Sequence, residues 1–343
     1  MAYTTINKSS LNMNTKLYTG NGGTQSITGV GFQPDWTWLK KRNGTANNHV
    51  VDAVRGVGYY LYPNLTNAQG GNGSSLLTSF NTDGFTLDSG ADSNASGATG
   101  VSWNWKANGA GSSNTDGSIN STVSVNTTSG FSIVKYTGTG STATVGHGLG
   151  AVPDMMIIKK YSGAGNQWTI YHKSLGNTKH ILFTLGSETS QANYWNDTSP
   201  TSSVWTMGNQ GEINGSGTTN ICYAFSEKQG YSKFGSYTGN NNANGRFIYT
   251  GFSPAFIMVK KASDNGGWQL RDNKRTAYGN ETLNLSYANS NTAEQTTDGF
   301  DFLSNGFKWR NQASDCNGTG NYIYAAFAEA PLVGTNNTPC TAR

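Results

Sequence analysis

Pro34-Asp-Trp-Thr-Trp-Leu-Lys40-Lys41, Pro153-Asp-Met-Met-Ile-Ile-Lys159-Lys160 and Pro254-Ala-Phe-Ile-Met-Val-Lys260-Lys261 are three versions of one phrase: a proline, a short apolar run and two lysines. Proline cannot donate within a ladder, so it is expected to start a strand. The run behind it is continuous, not alternating, which predicts a strand covered on both faces in the middle of a sandwich. The lysine pair is expected to bring the strand out to water. Upstream, each phrase is preceded by Tyr-Thr-Gly, at Tyr18, Tyr136 and Tyr237. Downstream, each third closes on an aromatic segment: Val101-Ser-Trp-Asn-Trp105, Ile221-Cys-Tyr-Ala-Phe225 and Ile323-Tyr-Ala-Ala-Phe327. Pro34 to Trp105 is 71 positions, Pro153 to Phe225 is 72 and Pro254 to Phe327 is 73. A period of about 100 residues is that of a globular domain, not of a solenoid unit. The expectation is an all-β chain of three tandem antiparallel β-sandwich modules of jelly-roll kind.

The boundaries follow from composition. Residues 1–15 read as an N-terminal arm, 16–107 as the first module, 118–229 as the second, 230–333 as the third and 334–343 as a polar tail. Residues 108–117, rich in Gly, Ser and Asn, read as a flexible linker. The third module starts directly after the second, so those two are expected to sit closer together than the first and second.

Charged residues make up 12% of the chain, and 45 glycines with abundant Asn, Ser and Thr take their place. Aromatics at 12% argue against disorder and suit strands. The net charge of +4, carried by scattered lysine pairs, gives no case for a nucleic-acid partner. No apolar stretch approaches 18 residues, so no membrane insertion is expected, and the N-terminus lacks the apolar region of a secretory signal. Cys222, Cys316 and Cys340 form no C-x-x-C and read as free thiols.

A catalytic device would keep its reactive residues at equal offsets in the three phrases. Asp52-x-x-Arg55 is matched by Asp272-x-x-Arg275, but the second module has His172 and Leu175 there. An acid–base device would not survive that exchange, whereas a structural ion pair would. His49, His147, His172 and His180 show no zinc spacing, and Gly146-His-Gly148 leads to a strand, so it reads as a turn and not a phosphate loop. Asp35 and Asp154 read as turn caps. Glu227 and Glu329 follow their closing segments at equal offsets with no counterpart in the first module. The chain is therefore expected not to be an enzyme and to need no cofactor or metal. Trp168 and Trp268 recur and read as core. Tyr59, Tyr60 and Tyr62 occur only in the first module, and Tyr194 and Trp195 only in the second. These five are the candidate surface contacts for a sugar or a partner.

Lys16-Leu-Tyr-Thr-Gly-Asn-Gly22, Gly29-Val-Gly-Phe-Gln-Pro-Asp35, Asp52-Ala-Val-Arg-Gly56, Thr82-Asp-Gly-Phe-Thr-Leu87 and Val101-Ser-Trp-Asn-Trp-Lys106 resemble a poorly characterised family of β-rich virion proteins of marine tailed bacteriophages. The resemblance covers most of the chain and is weakest in the loops of the second module. It implies a virion structural protein on the particle surface, as a capsid decoration or tail appendage. Its partners would be other virion proteins and host-surface glycans, with a homo-oligomer left open. A lectin-like module or a polysaccharide depolymerase is the alternative. The resemblance brings no catalytic residues.

Overall fold

The computed structural model describes residues 3–72, 76–89, 92–184, 186–275 and 282–336. Cys340 and the tail beyond residue 336 lie outside the described residues. The chain is nearly all β, and every pair of named strands is antiparallel.

Each third builds an inner and an outer sheet. In the first, the inner sheet runs in the order Met13–Thr19, Thr99–Trp105, Trp36–Lys41, His49–Asp52. The same order recurs as Phe131–Thr137, Thr219–Phe225, Met155–Lys160, Trp168–His172, and again as Ser232–Gly239, Gly320–Pro331, Phe252–Lys261, Gln269–Asp272. Register recurs as well. The residue two after each proline pairs with the last aromatic of the closing strand: Trp36 with Trp105, Met155 with Phe225, Phe256 with Phe327. On its other side the same residue pairs with Asp52, His172 or Asp272. The first and last strands of each unit thus lie side by side, as in a jelly roll. A hairpin stays in the inner sheet where a jelly roll would cross over.

The continuous apolar run is explained by what covers each face. One face of each inner sheet packs on that unit's own outer sheet: Leu39 and Val51 join Ile27, Phe85 and Leu87; Met156 and Ile158 join Val145 and Trp205; Ile257 and Val259 join Ile248, Phe307 and Trp309. The opposite faces of all three inner sheets meet in one shared core, which takes Trp36, Trp38, Trp103 and Trp105 from the first unit, Ile157, Tyr223 and Phe225 from the second, and Phe256, Met258 and Phe327 from the third. Towards one end of it the rings of Trp105, Phe225 and Phe327 form a triangle with edges of 6.5, 5.7 and 5.7 Å and edge-to-face angles of 67°, 65° and 74°. A pseudo-threefold axis passes through it.

Three expectations change. Residues 108–117 are not a free linker: Ser112–Asn114 adds a strand to the second unit's inner sheet, and the amides of Ala107 and Gly109 donate to the buried Asp35 carboxylate at 2.7 and 3.1 Å. The second and third units are not a closer pair, because all three share one core. The first lysine of each pair does not leave for water: Lys40, Lys159 and Lys260 are at most 1% exposed. Their ammonium groups bend under the next loop and donate to the carbonyls of Ala46, Asn166 and Asp264.

Candidate functional site

Asp52, His172 and Asp272 lie at the three seams between the units, where their bonds follow a cyclic rule. In the first unit the Asp52 carboxylate accepts the amides of Val54 and Arg55, the Arg55 Nε–H at 2.5 Å, and the Tyr223 hydroxyl of the second unit at 2.8 Å. In the third unit Asp272 accepts the amides of Lys274 and Arg275, the Arg275 Nε–H at 2.5 Å, and the indole N–H of Trp103 from the first unit at 3.0 Å. Both ion pairs have side chains no more than 1% exposed.

The second unit is the exception that the sequence left unexplained. Trp103 and Tyr223 occupy one register position, opposite Trp38 and Ile157; in the third unit that position, opposite Met258, holds Ala325. Alanine has no donor to offer a carboxylate. The facing residue is His172, whose Nδ1 accepts the Ser174 amide at 3.2 Å, as an aspartate would. Its Nε2 lies 3.1 Å from the Tyr324 carbonyl and is left to donate to it. Burial pushes the imidazole down to about 4, so it is held neutral. The exchange of Asp for His thus answers the loss of a donor on the neighbouring unit.

Two more sets of bonds obey the same rotation. Trp168 Nε1 donates to the Tyr62 carbonyl, Trp268 Nε1 to Leu182, and Asn48 Nδ2 to Tyr287 and Ser290. The backbone N–H of Gln69 donates to Tyr161, that of Glu188 to Ala262 and that of Glu294 to Arg42. Each seam is closed by bonds of both kinds. Asp52 and Asp272 thus accept three donors from their own turn and one from a neighbouring unit.

The family model described as Domain of unknown function (DUF7483) matches residues 8–331. The chain belongs to that family. No curated protein and no solved structure matches it.

The five aromatic candidates of this DUF7483 chain separate. Tyr194 and Trp195 are 3% and 1% exposed and are not surface contacts. The Tyr194 ring stacks at 3.6 Å on His180 and its hydroxyl donates to Glu212 at 2.5 Å, while Trp195 donates its indole N–H to the Lys179 carbonyl and packs on Tyr171. They close the second unit where its outer sheet has two strands and the others have three. Tyr59, Tyr60 and Tyr62 are half-buried. Tyr60 and Tyr62 pack on each other and on His49 at about 5 Å, leaving part of each ring to solvent.

Glu227 bridges Lys173 and Lys233, and Glu329 accepts from Asn273. Among the described residues no group of three or more His, Cys, Asp or Glu converges as a metal site. One open cleft of about 450 Å3 lies in the second unit, lined by Ser141, Thr142, Asn193, Asn196 and Asn209.

The repeated buried asparagine escaped the sequence reading. Asn94 Nδ2 donates to Gly23 and Asp88 carbonyls, Asn214 to Ser141 and Gly208, and Asn317 to Asn242 and Asn311. Each clamps the turn that follows Tyr-Thr-Gly. The signal was present: Asn94 is 11 positions before Trp105, Asn214 11 before Phe225 and Asn317 10 before Phe327.

Proposed function

We propose that the protein is a structural component displayed on a bacteriophage particle, a capsid decoration or tail appendage that stabilises the virion and adheres weakly to host-surface glycans. The observation that carries this reading is the single core around the pseudo-threefold axis. Three sandwiches spend their buried polar groups on one another, an investment in rigidity that suits a part whose work is to hold a surface in place. The resemblance of the Tyr-Thr-Gly, Asp-x-x-Arg and closing-strand motifs to virion proteins points the same way.

A second reading, a glycan-binding module, is supported by the cleft lined with amides and hydroxyls and by the half-exposed Tyr60 and Tyr62 faces. Mass spectrometry of gradient-purified particles, with a glycan array and a polysaccharide-degradation assay on the isolated protein, separates the possibilities. Stoichiometric presence in the particle supports the structural role. Absence from the particle with glycan binding supports the second reading, and release of reducing ends overturns both.

A further inference from the structure

The two ends of the pseudo-threefold axis differ. At the end marked by Trp105, Phe225 and Phe327 the chain breaks the symmetry. The links between units leave after Trp105 and Phe225 and enter at Phe131 and Ser232, and the N-terminal arm crosses there, with Ile6 buried in the shared core and the Tyr3 hydroxyl donating to Gly251. The opposite end lies six residues along the closing strands, about 20 Å away. There the inner sheets finish in two kinds of loop, each repeated three times, and the second unit alone adds the turn of residues 115–120 at its outer edge.

The first kind follows the lysine pair and is pinned from below by Lys40, Lys159 or Lys260. The second is the turn after Tyr-Thr-Gly. It is held by the amide clamp of Asn94, Asn214 or Asn317, and by a bond from the Gly22, Gly140 or Asn241 amide to that asparagine's carbonyl. Rotation about an axis preserves direction along it, so all six loops face the same way. Buried side chains fix their backbones, while the exposed and half-buried residues of the turns differ: Asn21-Gly-Gly23, Thr139-Gly-Ser141 and Asn240-Asn-Asn242. All of these are small and uncharged. Backbone shape is kept in three places at one end, where side-chain identity is not.

We propose that this end seats on the axis of a homotrimeric protein, one chain per trimer, with each clamped turn meeting one subunit. A trimer presents three copies of one surface, and a single chain can meet all three alike only through groups related by the same rotation. Three linked contacts of small amides and hydroxyls, each weak, then bind as one. That the trimer belongs to a virion rests on the reading above.

The test is cryo-electron microscopy of purified particles, with rebinding of added protein to particles stripped of it. The expected result is one chain over a threefold position, turn end inward. The triple variant Asn21→Arg, Ser141→Arg, Asn242→Arg, with an unchanged melting temperature, should rebind at least roughly tenfold more weakly. Leu11→Arg, an exposed site on the arm at the other end, should rebind normally. A chain found on another axis or lying the other way up, or a folded triple variant that rebinds like the parent, overturns the proposal and leaves the virion reading standing. Absence from the particle overturns both.

Discussion

Asp52 and Asp272 each serve four donors, one from another unit, and the cost of losing them is set by what is left behind. Removing Asp52 strands the buried Arg55 guanidinium and the Tyr223 O–H, whereas Arg275 would keep Glu294 at 3.0 Å if Asp272 were removed. Asp52→Ala should therefore cost about 3–5 kcal/mol in chemical denaturation, and Asp272→Ala less. Tyr223→Phe deletes only one donor to a carboxylate that keeps its other partners and should cost about 1–3 kcal/mol. If Tyr223→Phe is without effect, the seam bond contributes nothing to stability. The histidines give a pH dependence. Burial pushes His49, His147, His172 and His180 all down to about 4 from the usual 6.5. The unfolded chain then takes up protons that the folded one refuses. Their contribution is complete above about pH 6.5 and is lost as pH falls towards 4, by up to about 1.4 kcal/mol per histidine per pH unit. Urea midpoints measured from pH 7.5 to 4 should fall across that window, and His172→Gln should flatten the fall. A midpoint that does not change there would mean the rings are protonated in place.

At the scale of elements, the Tyr-Thr-Gly turn shows why its glycine is required. A Cβ on Gly20, Gly138 or Gly239 would stand 2.4, 2.4 or 2.0 Å from a carbonyl oxygen of the clamped asparagine loop. Backbone must move to admit it, so Gly138→Ala should cost about 1–3 kcal/mol, read from its melting temperature, whereas Gly163→Ala in the exposed lysine loop carries only the strain of its positive φ. Much of this scale was legible in the sequence. The proline-led runs are strands covered on both faces, and Asp52-x-x-Arg55 is a buried ion pair. The fate of the lysines was not legible, because Lys40 looks like any lysine at a strand end until the following loop folds back with a carbonyl to receive it. Tyr194 and Trp195 misled for a related reason. Residues peculiar to one copy can be surface decoration or a local repair, and these two fill the place of a missing outer strand.

For the whole molecule, the sequence implied three units but not their arrangement. Nothing in Asp52 or Asp272 says that its fourth donor comes from the next unit around the ring, Tyr223 of the second or Trp103 of the first; that needs the rotation. The His172–Ala325 exchange could be seen in the sequence only as two unrelated departures. The ring of units is also closed unequally. Peptide links join the first to the second and the second to the third, while the third meets the first without one. That seam carries the Glu294 carboxylate between Arg42 and Arg275, and the N-terminal arm crosses it. Ile6→Ala should therefore cost about 2–4 kcal/mol although the residue lies outside every sheet, and hydrogen exchange should rise first along that seam. A loss confined to the arm, with the seam unchanged, would show that the arm does not close the ring.

The central claim is that three sandwiches share one core around one axis, and the radius of gyration in solution tests it most directly. Small-angle X-ray scattering of the monomer should give about 20 Å, the value for a single globule of this length. A radius above about 26 Å, as for three domains of about 100 residues strung in line, would contradict it.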